Sequence, residues 1–164
     1  MIHPTWELPV AECGALILTP CPGTKQVALL DSLQQLKEQG VTVVVTAIEQ
    51  QEMQAKDVTE LGTVTASLGM QWLHLPIEDD CAPDETFRQG WQKNSKALHA
   101  ALARGEKIAM HCMGGSGRTG LLAAHLLLER NWPLDEIISR VQALRPGAFT
   151  KADQLDYVHQ LAQK

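Results

Sequence analysis

The apolar positions of this chain alternate between two periods. Short continuous runs, four to six residues long, fall at Ala15–Leu18, Val41–Thr46, Trp72–Leu75 and Lys107–His111. They are β-branched or otherwise apolar and are bounded by turn formers, so they read as buried strands. Between them lie runs with helical spacing. Val27, Leu30, Leu33 and Leu36 form one stripe, stopped by Gly40. Val58, Leu61, Val64 and Leu68 form a second, with Asp57 as its predicted cap and Gly69 as its end. Phe87, Trp91, Leu98 and Leu102 mark a long helix from Asp84 to Arg104, closed by Gly105. Leu121–Glu129, Leu134–Leu144 and Thr150–Ala162 complete the set, with Thr150 and Asp153 as an expected capping pair for the last. Strands alternating with helices predict an α/β fold, a mainly parallel central sheet flanked by helices on both faces. In such sheets, sites form at the carboxyl ends of the strands.

One strand-to-helix junction carries chemistry. The stretch His111-Cys112-Met113-Gly114-Gly115-Ser116-Gly117-Arg118-Thr119 joins the strand ending at His111 to the helix that follows. Amides at a helix start have no intrahelical partner and sit at the positive end of the helix dipole. Glycines let successive N–H groups turn inward, which makes a cradle for a tetrahedral oxyanion from Met113 to Arg118. Cys112 opens the loop, where those dipoles favour a thiolate. Arg118 closes it with a fork that matches two phosphate oxygens. The Thr119 hydroxyl is placed to donate to the sulfur, and His111 to hold the loop through backbone. A lone Cys or a glycine turn is weak evidence; the full string, entered from a strand and left by a helix, is specific.

That string resembles the signature of the cysteine-dependent protein tyrosine phosphatases. Within that superfamily the chain is most similar to the compact dual-specificity branch, around the cyclin-dependent-kinase-associated phosphatases and their bacterial relatives. The resemblance runs from about Leu18 to the C-terminus, and it implies a protein tyrosine phosphatase-like fold. It also implies a cysteinyl-phosphate intermediate and a remote carboxylic acid that protonates the leaving group. Related enzymes carry a Pro-apolar-x-Asp loop; Pro76-Ile77-Glu78-Asp79 matches it, which makes Asp79 the candidate acid and Asp80 the alternative one residue on. By charge pattern alone the same turn reads as a solvated acidic loop. Phe149–Leu155 resembles the segment that positions the hydrolytic water. Thr150 stands where the tyrosine-specific enzymes have Gln, so Gln154 is a further candidate for lining the pocket. Cys81, two residues after Asp79, is a candidate partner for a protective disulfide with Cys112, as several relatives have; a small buried residue is the plainer reading.

Composition narrows the picture. The 164 residues are 45% apolar and 20% charged, with net charge −5, enough for a sizeable core in one domain over residues 1–164. The mild acidity disfavours nucleic acid and membrane surfaces as partners. The four cysteines (13, 21, 81 and 112) and six histidines show no metal spacing, so neither metal nor cofactor is expected. No leader-like or membrane-length apolar run is visible, and a thiolate needs reducing surroundings, so a cytoplasmic location is expected. Glu49–Glu52 reads as a solvated turn that approaches the site rim. The loop interior lacks the extra Lys of many phosphoinositide enzymes, and there is no Asn-Arg-Tyr-like segment to deepen a phosphotyrosine pocket. The expected partner is therefore a phosphorylated protein, with phosphate, vanadate or sulfate as loop ligands. The alternatives are a phosphoinositide or inositol phosphate phosphatase and a non-catalytic phosphoprotein-binding module. A sulfur-transfer domain also presents a Cys loop, but has no need of Arg118-Thr119 or a remote Asp. The sequence does not fix an oligomeric state.

Overall fold

The computed structural model describes residues 1–10 and 14–164, so Cys13 lies outside the described residues. Five strands, β1 (Trp6–Pro9), β2 (Ala15–Thr19), β3 (Val41–Thr46), β4 (Gln71–His74) and β5 (Lys107–His111), form one sheet in the order β1-β2-β5-β3-β4. β2, β5, β3 and β4 run parallel, and β1 joins antiparallel at the edge. Seven helices accompany them: α1 (Leu29–Glu38), α2 (Gln50–Ala55), α3 (Leu61–Ser67), α4 (Glu85–Ala103), α5 (Gly117–Glu129), α6 (Leu134–Leu144) and α7 (Ala152–Ala162). No helix among the described residues is long and apolar enough to cross a membrane.

Strand alternation divides the core in two. Ile17, Val41, Val44 and Ala109 face a smaller core closed by Leu33 and Leu36 of α1, with Leu29 and Val64 at its margin. Leu16, Leu18, Val43, Val45, Ile108 and Met110 face the larger core of α4 to α7. Successive side chains point to opposite faces, so a strand covered on both sides must be apolar throughout. That is why β2 and β5 read as uninterrupted runs. Each fully buried aliphatic side chain is worth about 1.5–3 kcal/mol. An exposed pair such as Arg88–Glu85, at 39% and 69% exposure, is worth under about 1 kcal/mol, so packing dominates.

One strand is not expected from the sequence, and four sequence expectations need correction. β1 carries no apolar run, only Leu8 between polar residues and a Pro, which is the composition of an edge strand. Leu30 is 54% exposed; the inward face of α1 is Leu29, Leu33 and Leu36, a second stripe that helical spacing allows equally. Asp57 does not cap a helix. It adopts φ 57°, a conformation Asp tolerates, in the turn after α2, and Glu60 precedes α3. The Thr150–Asp153 pair does not form: Lys151 is the residue before α7, and no side chain caps it. Helix α5 begins at Gly117, not Leu121, so Arg118 and Thr119 belong to its first turn. Gly120 is there for contact, since a Cβ on it would stand 3.0 Å from Ala148 Cβ.

His125 of α5 is 5% exposed and is walled in by Phe87, Trp91 and Tyr157, with ring centroids 5.1, 5.2 and 5.5 Å away. Burial first, then the Arg88 and Lys164 charges, push its pKa down to about 4, so the ring is neutral and bonds Tyr157 Oη at 2.7 Å. The unfolded chain takes up this proton near the ordinary value of 6.5, whereas the native state resists it until about 4. The native state therefore loses stability as pH falls from about 6.5 to about 4. In His125→Gln this part of the loss should vanish; urea unfolding midpoints of both proteins measured from pH 7.5 to 4 check it, and parallel curves would refute it.

Candidate active site

β5 delivers Cys112 at the carboxyl edge of the sheet, and the loop 112–116 returns into α5. Cys112 is 3% exposed and has two donors on its sulfur: the Thr119 hydroxyl at 3.1 Å and the Gly115 amide at 3.3 Å. Both stabilise negative charge on sulfur. Gly115 has φ 85°, and a Cβ there would lie 2.7 Å from Pro20 N, so the loop sits directly on the end of β2. The Cys21 amide also donates to Met113 O at 3.0 Å.

The loop is held from below by His111. Its Nδ1 lies 3.0 Å from Cys112 O, which can only accept, so Nδ1 carries the proton. Burial first pushes its pKa down to about 4. In the neutral ring Nε2 is then the acceptor, and it takes the Thr46 hydroxyl proton at 2.7 Å. Thr46 Oγ1 in turn receives Trp72 Nε1–H at 2.8 Å. A buried relay thus runs from β4 through β3 to the carbonyl of Cys112.

Arg118 is 2% exposed. Its Nη1 donates to Glu52 Oε2 at 2.7 Å and to Ile77 O at 3.1 Å, and its Nη2 to Glu52 Oε1 at 2.9 Å. Burial opposes its charge, but the Glu52 hydrogen bonds and the neighbouring Cys112, Glu52 and Asp79 outweigh it and raise its pKa. Burial likewise works against charge on Glu52, and the Arg118 and Glu49 hydrogen bonds reverse it, lowering its pKa. Glu52 is aimed by its own helix. At the start of α2 a capping box brings Glu49 N to Glu52 Oε2 at 2.8 Å. The sequence reading left Glu52 in a solvated turn. The available signal was Glu-x-x-Glu, 49 to 52, directly after a buried strand.

Asp79 and Asp80 follow the extended segment Leu75–Ile77, whose amides bond to the β3 edge through Thr46 O and Ala47 O. They point in different directions. Asp79 Oδ1 lies 3.4 Å from Arg118 Nη2, whereas Asp80 Oδ1 lies 3.8 Å from Lys151 Nζ. A pocket of about 220 Å³ is lined by Asp79, Asp80, Cys112, Met113, Gly114, Ser116, Gly117, Arg118, Gly147, Lys151 and Gln154. Thr150 is not in that lining; its hydroxyl donates to Gly147 O at 2.8 Å. Gln154 is 1% exposed, its Nε2 donates to Cys81 O at 3.2 Å, and its Oε1 has no partner among the described residues. Two residues are not marked by the sequence. One is Lys151, in the pocket lining. The other is Arg145, behind the loop, which binds Gly115 O through Nε at 3.1 Å and Gly114 O through Nη2 at 2.8 Å. Cys21, Cys81 and Cys112 are free thiols. Cys21 is pushed up to about 12 by burial and then by the nearby Cys112, and burial followed by the Glu78 charge pushes Cys81 up as well.

Glu52→Gln should weaken oxyanion binding about tenfold to a hundredfold, because charge-assisted hydrogen bonds are worth about 1.5–3 kcal/mol. The vanadate inhibition constant measures it, with circular dichroism as the check on folding. An unchanged constant in folded protein would remove Glu52 from the site.

Known proteins resemble this chain in sequence and fold. Residues 21–131 match the model of a family described as "Polymorphic toxin system, DSP-PTPase phosphatase". The chain is 35% identical over 95 residues to tyrosine-protein phosphatase CDC14 of Saccharomyces cerevisiae, which is 57% of this chain and 17% of that protein. It is 28% identical over 132 residues to protein tyrosine phosphatase type IVA 3 of Homo sapiens, 80% of this chain and 70% of that one. It spans 26% of tyrosine-protein phosphatase yvh1 of Schizosaccharomyces pombe, so it matches only a minor part of two of these relatives. The crystal structure of kinase associated phosphatase, with its catalytic-site cysteine substituted by serine, aligns at a TM-score of 0.86. That alignment covers 99% of this chain and 96% of that one at 23% identity, a likeness of fold. By its family match, the chain belongs to the dual-specificity branch of the cysteine-dependent protein tyrosine phosphatases.

Proposed function

We propose that this protein hydrolyses phosphomonoesters on phosphorylated proteins, on phosphotyrosine and also on phosphoserine and phosphothreonine, through a cysteinyl-phosphate intermediate. The observation that carries the reading is the sulfur of Cys112 under two donors, with the Arg118 fork fixed beside it by Glu52. The thiolate attacks phosphorus; an S–P bond forms and the P–O bond to the leaving group breaks. Protonated Asp79 gives its proton to the leaving oxygen. Asp79 is favoured over Asp80 because it faces Arg118, while Asp80 faces Lys151. In the second step water attacks phosphorus, Asp79 takes its proton, and the S–P bond breaks. The Thr119 hydroxyl stabilises the departing sulfur. The unused Oε1 of Gln154, at the pocket wall, supports a role in holding that water. Phosphate, vanadate and sulfate are the small ligands that fit the loop, and a reducing, cytoplasmic setting suits the thiolate.

Cys112→Ser should lose turnover while still binding vanadate or phosphate, because serine without a base is a poor nucleophile. Near-wild-type turnover would refute the thiolate route. Asp79→Asn should lower kcat on a phosphotyrosine peptide by about 10²–10⁴, the scale of general acid–base help. The loss should be smaller on p-nitrophenyl phosphate, whose leaving group needs little protonation, and a full rate on the peptide would move the role to Asp80. The same assay run beside a phosphoinositide decides substrate class. Faster turnover of the lipid would replace the protein reading, and peptide binding without turnover would indicate a binding module.

A further inference from the structure

We infer that Trp6, on the edge strand β1, is a positioning residue for the anion loop and acts through Arg145. The inference rests on the phosphatase reading above, since it concerns how that loop is kept competent. A loop that turns its N–H groups inward turns the carbonyls of the same peptides outward. A peptide unit is planar and trans, so its C=O and the next N–H point in opposite directions. Gly114 O and Gly115 N belong to one such unit. Arg145 Nη2 holds Gly114 O at 2.8 Å on the outside, and Gly115 N–H meets Cys112 Sγ at 3.3 Å on the inside. The contact that fixes the carbonyl therefore aims the amide at the sulfur. Arg145 Nε fixes the next unit in the same way through Gly115 O at 3.1 Å.

Arg145 needs its own support. It follows α6 with φ −130° and ψ 89°, and Pro146 bars continuation of the helix. A free arginine side chain samples many rotamers, so a fork left mobile would hold the carbonyls poorly. No carboxylate among the described residues lies within ion-pair distance of it. Its guanidinium instead lies 3.9 Å from the centre of the Trp6 ring. Burial lowers the Arg145 pKa, with the nearby Cys112 acting in the opposite direction. A π face compensates such a cation, and best when both are desolvated. Trp6 is itself fixed, because β1 pairs with β2 with Trp6 opposite Leu18, and the neighbouring Glu7 bonds Lys107 Nζ at 2.8 Å. A line of contacts thus joins residue 6 to the nucleophile without touching substrate.

The test compares Trp6→Phe, which keeps an aromatic face, with Trp6→Leu, which keeps apolar bulk and loses it. Three readouts are taken: the vanadate inhibition constant, kcat/KM on p-nitrophenyl phosphate, and the pH midpoint of Cys112 alkylation, identified by phosphate protection and peptide mapping. Trp6→Leu should raise the vanadate constant about threefold to thirtyfold, the range of a partly desolvated cation–π contact, and Trp6→Phe should stay within about twofold of wild type. The alkylation midpoint should move upward in Trp6→Leu alone, a shift that general loosening of the fold would not confine to the Leu variant. Equal values for the two folded variants would overturn the inference. If Trp6→Leu does not fold, Arg145→Lys decides, because it keeps the charge and loses the fork: a vanadate constant equal to wild type would overturn the inference, and a raised one supports it. Wild-type protein that neither binds vanadate nor turns over would sink the phosphatase reading itself; wild-type activity with unaffected variants would sink this inference alone.

Discussion

A guanidinium that is 2% exposed must have its charge met within the protein, and in this molecule Glu52 meets it. Isolated, Arg118 would be strongly destabilising, since removing one partner of a buried pair costs about 3–5 kcal/mol. Paired, it costs flexibility instead, because both Nη atoms are tied and the fork has one orientation. That orientation is inherited from α2. The capping box fixes Glu52, Glu52 fixes Arg118, and Ile77 O receives the same Nη1. One cation therefore ties three segments that are far apart in sequence: the first turn of α2, the segment after β4 and the first turn of α5. The pocket over Cys112 is built where those three meet.

The sheet order explains why they meet. β5 lies between β2 and β3, so Cys112 emerges at the middle of the carboxyl edge with a strand end on each side. On one side, Thr19 and Pro20 press against Gly115, and Cys21 bonds Met113. On the other, Thr46 reaches His111, and Ala47 N bonds His111 O. The neutral His111 contributes rigidity rather than charge, since burial keeps it unprotonated well below neutrality. A loop supported on both flanks and from below keeps its amides turned inward before any anion arrives. The ordering entropy is then met during folding and not during binding.

What the sequence makes legible follows from where physical constraints are local. β2, β3 and β5 were readable because both faces of each are covered, which demands continuous apolar runs, while β4, at the sheet edge, buries only Leu73. The loop residues from His111 to Thr119 were readable because one short segment carries the cradle, the sulfur and the fork together. Glu52 and Arg145 were not, because each acts through a partner 66 or about 30 residues away, and neither carries a local signature of that reach. Trp6 is a stronger case, on a strand whose composition hardly marks it as a strand. The start of α5 was misplaced for a different reason. Gly117 and Gly120 argue against helix by propensity, at about 1 kcal/mol each. The close approach of Ala148 requires the second of them.

The charge balance of the pocket has a consequence for recognition. Glu52 already neutralises Arg118, and Asp80 sits within 3.8 Å of Lys151, so no side-chain cation in the lining is unopposed. A dianionic phosphoryl group entering there gains its attraction mainly from aligned amides and the N-terminal end of α5, not from net positive charge. Dipoles fall off faster with distance than a free charge does, so this attraction is short-ranged and depends on fit. A small group seated on the loop at hydrogen-bond distance feels it, whereas a polyanion approaching from outside feels Asp79 and Asp80 at the rim, at 70% and 67% side-chain exposure. On the function proposed above, the arrangement favours one phosphomonoester at a time over a densely phosphorylated ligand.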